Sequence, residues 1–82
     1  MGGHLIMLKL EKRKNKSLPN LHVAIIDGKV VGFVFKMRGG GKNYWNTYSG
    51  VGSDAKLLGH YEDKEQCKKQ IFWSYMVDSQ SK

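Results

Sequence analysis

The side chains able to ligate a metal or attack a substrate are few and far apart. His4, His22, His60 and Cys67 are the only histidines and cysteine in 82 residues. They form no CxxC or HExxH pattern, the spacings that bring two ligands to one ion. His60 and Cys67 could meet at a strand–helix junction as base and nucleophile. Cys67, however, falls on an apolar helical stripe and reads as core. Glu62, Asp63 and Glu65 stand where a helix begins, and acidic groups there cap amides and suit the helix dipole. Gly39-Gly40-Gly41-Lys42 suggests a phosphate loop, but no glycine stands five positions before Gly41. Asn43 also occupies the place of the Ser or Thr that must follow the lysine. The expectation is no enzyme, no metal site and no cofactor.

Charge carries the stronger signal. Lys and Arg number 14 against 7 Asp and Glu, a net of +7. Residues 1–42 hold nine of the cations and two of the acids, while residues 43–82 hold five of each. All the excess therefore lies in the first half, and such an excess attracts polyanions. The reading is a small basic nucleic-acid-binding domain, with duplex DNA as the expected ligand. Phosphate contacts would come from Lys9, Lys12, Arg13, Lys14, Lys16, Lys36, Arg38 and Lys42. The alternative is an adaptor or inhibitor that docks on an acidic host protein. Tyr44, Trp45, Tyr48 and Tyr61 could stack bases or fill the core. Either Trp45 or the Tyr44/Tyr48 pair is expected to be exposed. Trp73 lies off the helical stripe and, if exposed, marks a partner or dimer surface.

The elements that must position these residues can be read in order. LIMLKL at 5–10 is a first strand, followed by the charged run 11–17 and a Ser17-Leu18-Pro19-Asn20 turn. LHVAIID at 21–27 and VVGFVFKMR at 30–38 are strands, and the Asp27-Gly28 pair between them signals a hairpin. Simple alternation along 30–38 puts Val31, Phe33, Phe35 and Met37 on a core face. It puts Val30, Gly32, Val34, Lys36 and Arg38 on a face for solvent or ligand. Residues 39–42 form a mobile basic hairpin tip. NYWNTYS at 43–49 is a strand with Tyr44, Asn46 and Tyr48 on one face and Trp45 and Thr47 on the other. A short strand spans 55–61. A helix then opens at Asp63, with Gln66 completing a capping-box pattern. Its apolar stripe is Cys67, Ile71 and Tyr75 with Phe72 and Met76, and it ends near Val77.

The fold class is therefore α+β: an antiparallel sheet of three to five strands with one C-terminal helix packed on one face. Eighty-two residues suit one domain. A lone cysteine excludes a disulfide scaffold, and no apolar run is long enough to cross a membrane. MGGHLIML lacks the features of a signal peptide, so a reducing, cytoplasmic setting is expected. Residues 1–6 read as either disordered or a cloning remnant ahead of Met7, and 78–82 as a frayed tail. A monomer or weak dimer is expected.

Residues 57–67, Leu57-Leu58-Gly59-His60-Tyr61-Glu62-Asp63-Lys64-Glu65-Gln66-Cys67, carry a family resemblance. The stretch resembles the strand-to-helix junction of plant AP2-type domains and of the arm-binding N-terminal domains of phage tyrosine recombinases. Leu58, Gly59, Tyr61 and Glu65 match that junction. Asp63 stands where Thr or Ser usually caps, and Cys67 where Ala is usual. The entry Leu18-Pro19-Asn20-Leu21 is similar to that of some recombinases, and the resemblance as a whole spans 21–77. It implies three antiparallel strands and a helix, with the exposed sheet face entering the DNA major groove. Lys36, Arg38 and Asn46 would then touch bases or phosphates, in a phage or prophage accessory protein.

Overall fold

The computed structural model describes residues 7–80, so His4, residues 5–6 of the expected first strand and the last two residues lie outside it. Five strands form one antiparallel sheet in chain order: β1 (Leu8–Lys12), β2 (His22–Ile26), β3 (Lys29–Gly39), β4 (Lys42–Ser49) and β5 (Lys56–Tyr61). A single helix, α1 (Lys64–Gln80), follows. The architecture is α+β.

Turn chemistry sets the pairing. Asp27 and Gly28 both adopt positive φ, 52° and 77°, and close the β2–β3 hairpin. Gly40 and Gly41, at 60° and 79°, close β3–β4 just as tightly. The glycine run is thus a two-residue turn between the paired Gly39 and Lys42. Asp63 caps α1: its carboxylate accepts the Glu65 amide at 3.0 Å. The helix runs on to Gln80, where the sequence put its end near Val77.

Cys67 and Ile71 are fully buried on the sheet-facing side of α1. They join Ala24, Ile26, Val31 and Val34 in one core cluster. Thr47 is also fully buried on this face, and the Ser74 hydroxyl donates to Ser49 at 2.8 Å. Gly32 lies directly beneath the helix. A Cβ there would come within 3.1 Å of Ile71 Cγ2 and 2.5 Å of the Tyr48 carbonyl oxygen.

Beyond Val31 the faces of β3 are the reverse of the expected assignment. Val34 and Gly32 face the helix, while Phe33 and Phe35 stack with Tyr48 on the other side. The cause is a register shift opposite Ala24/Ile25: Ala24 pairs Gly32 but Ile25 pairs Val30. Val31 is the extra residue of a β-bulge, so it and Val34 both reach the core, and alternation beyond it is inverted. A second shift at Thr47/Tyr48 leaves Leu58 of β5 as the extra residue.

Candidate nucleic-acid interface

Three segments bring basic side chains to one end of the sheet. The first is the run from the end of β1 into the turn at 15–20, which holds Lys12, Arg13, Lys14 and Lys16. Asn15 Oδ1 accepts the amides of Ser17 and Leu18, at 2.8 and 2.9 Å, and folds this loop back. Two backbone bonds then fasten it: Arg13 N–H to the Leu21 carbonyl and Lys36 N–H to the Pro19 carbonyl, both 2.9 Å. The second segment is the distal half of β3, with Lys36 and Arg38. The third is the turn after it, with Lys42. Lys36 pairs Trp45 and Arg38 pairs Asn43, so both stand beyond the covered core at the end where the loop is fastened, with Lys42 further out at the hairpin tip. An open depression of about 510 Å3 lies among Lys12, Arg13, Lys14, Lys16 and Asn20.

Trp45 is the centre of the helix-side part of this end. Its ring has Lys64 Nζ at 5.4 Å and Lys36 Nζ at 5.9 Å from its centroid. His22 meets it edge-on at 5.5 Å. Two ammonium groups over one indole gain cation–π attraction that partly offsets their mutual repulsion. His22 Nδ1 donates to the Asn20 carbonyl at 2.8 Å, which fixes the ring beside the basic loop. Lys12 pairs His22 across β1–β2.

Not every sequence-predicted residue joins this group. Lys9 lies further back on β1, opposite Ile25. Its ammonium is 3.7 Å from Glu11, which also pairs with Arg13. Hydrogen bonding and charge from Arg13 hold the Glu11 carboxyl below its ordinary 4.5. Lys42 reaches Glu62 at 4.0 Å, both ends exposed. Lys36 is on the helix side of the sheet, so it does not share a face with Asn46. Asn46 is only 8% exposed and bonds His60 on the open side. His60 and Cys67 therefore sit on opposite faces and do not meet. Burial raises the Cys67 thiol above its ordinary value.

Lys64 and His22 were not expected in the site. The Lys36–Trp45 pairing follows from counting back from the Gly40-Gly41 turn. The approach of Lys64 depends on how α1 docks, which no local pattern encodes.

The aromatics divide between the faces. Trp45 is half-buried on the helix side, and Tyr44 and Tyr48 are half-buried on the open side, so neither alternative for exposure is met in full. Trp73, in contrast, is 71% exposed on the outer surface of α1, with Val77 one turn on at 63%. Among the described residues no helix is long and apolar enough to cross a membrane. No family model, curated protein or solved structure matches this chain.

Proposed function

We propose that the chain binds nucleic acid through the basic end of its sheet, with duplex DNA as the ligand. The observation that carries this reading is the gathering of Lys12, Arg13, Lys14, Lys16, Lys36, Arg38 and Lys42 at one end by backbone bonds and register. Lys12, Lys36, Arg38 and Lys42 stand on paired strands and Arg13, Lys14 and Lys16 on the fastened loop, and release of condensed counterions supplies the affinity. These contacts position the protein on the duplex and carry little sequence information. The reading also draws on the resemblance of the 57–67 junction to AP2-type and recombinase arm-binding domains, although residues 21–77 hold four strands, β2 to β5, ahead of the capped helix where that resemblance implies three. The basic end differs from their mode of contact, since it is the hairpin end and its loop that carry the charge.

The test is fluorescence anisotropy with labelled duplex and single-stranded DNA across a salt series. Binding that weakens with a log–log slope of up to about 6 for seven phosphate contacts is expected. Absence of binding at about 50 mM salt, where counterion release is strongly favourable, would sink the proposal. The exposed Trp73 and Val77 favour a second reading, an adaptor that docks α1 on an acidic protein. A one-to-one protein complex abolished by Trp73→Ala would support that one instead.

A further inference from the structure

The face of the sheet that α1 does not cover is apolar at its centre, and its charges stand at the margins. Register places Val23, Ile25, Phe33, Phe35, Met37, Tyr44, Tyr48 and Leu57 on it. Phe33, Phe35 and Tyr48 form one slab at its centre: their planes lie within 17° of one another and Phe33 and Tyr48 are 4.7 Å apart. Asn46 and His60 satisfy each other within the face. Charged groups enter at its margins: at the β1 edge, where Lys9 and Arg13 share Glu11, and at the hairpin end, where Lys42 meets Glu62 at 4.0 Å. In a chain of net charge +7 the cations thus stay off the centre of this face. Strands such as HVAII and VVGFVF are apolar on both faces, the pattern of a sheet covered on both sides.

We propose that a second copy of this chain covers the face, two sheets packing face to face. Charge decides the occupant. A nucleic-acid strand needs cations interleaved with the rings to meet its phosphates, and the centre of this face has none. The centre of an identical sheet brings no charge to desolvate. Five strands about 4.8 Å apart give a face roughly 20 Å wide, so two copies bury about 1,000 Å2, near the lower bound for a specific interface. The dimer is accordingly weak. Repulsion between the basic ends sets the copies with their strands antiparallel, basic ends outward, inclined by about 30° as twisted sheets pack.

Sedimentation equilibrium of the full chain tests this. A mass twice that of one chain is expected as concentration rises towards about 1 mM. Added salt strengthens this association, because it screens repulsion between copies, whereas it weakens nucleic-acid binding; failure of one claim is thus distinguishable from failure of the other. Met37 and Leu57 are 37% and 48% exposed, so Met37→Glu/Leu57→Glu folds and raises the dimer Kd at least ten-fold. Trp73→Ser leaves it unchanged. A single-chain mass at about 1 mM would overturn the proposal. So would association lost in Trp73→Ser but kept in the double variant. Binding of single-stranded oligonucleotide by a monomer, lost in Phe35→Ala, would assign the face to bases instead.

Discussion

Glu11 holds Arg13, a cation that a phosphate would also engage, together with Lys9 further back on β1. All three side chains are substantially exposed, so the intramolecular pairing is weak and salt-screened. It still competes with ligand. Glu11→Gln is expected to tighten DNA binding by about two- to five-fold and to steepen the salt dependence, a small effect because the pair is exposed and screened. An unchanged anisotropy titration would place Arg13 outside the contact. Cys67 makes the opposite case of a group removed from solvent. Its thiol ionises above its ordinary 9.0 because it is buried beneath α1. The folded state therefore favours the protonated form, and this contribution is complete below the unfolded value and lost as pH rises past it. Slow reaction with a thiol reagent at pH 8 is expected, becoming fast in denaturant. Rapid labelling of the native chain would mean that α1 opens readily.

Most elements could be read from residue types alone. The Asp27-Gly28 pair, the β-branched runs and the Asp63 cap specify their structures locally, and each forms where expected. What alternation misread was the face of β3, because one bulged residue inverts everything after it. Gly32 was the available clue, since an isolated glycine inside a strand marks a bulge or a close approach. Here it marks both: the bulge at Val31 and the contact of α1 with the sheet. Gly32→Ala consequently tests the element packing directly. The added Cβ meets the Tyr48 carbonyl, a backbone atom that cannot swing aside, as well as Ile71. Overpacking of this kind costs about 2 kcal/mol, and in a domain of this size lowers the melting temperature by about 10 °C. A melting curve within 2 °C or so of the parent would mean that helix and sheet separate more easily than the packing implies.

For the whole molecule, the question is whether the net charge of +7 acts as a diffuse field or as a site. The candidate cations were legible by type in the sequence. Their gathering was not, since it depends on a loop fastened to β3 by the Lys36–Pro19 backbone bond and on the docking of α1. Lys29 and Lys56 supply the comparison. Lys29 and Arg38 stand nine residues apart on β3, about 30 Å, several Debye lengths at physiological salt. Lys56 pairs Ser49 at the same far end as Lys29. Lys14→Ser/Lys16→Ser and Lys29→Ser/Lys56→Ser remove the same charge from the same chain. If charge acts only through the overall field, both lower DNA affinity alike. If the basic end is the contact, the first pair reduces the log–log salt slope by about 2 and the second leaves it nearly unchanged. The localised arrangement argues for the second outcome, because charges more than a Debye length from a phosphate release no counterion there, whatever they add to the total.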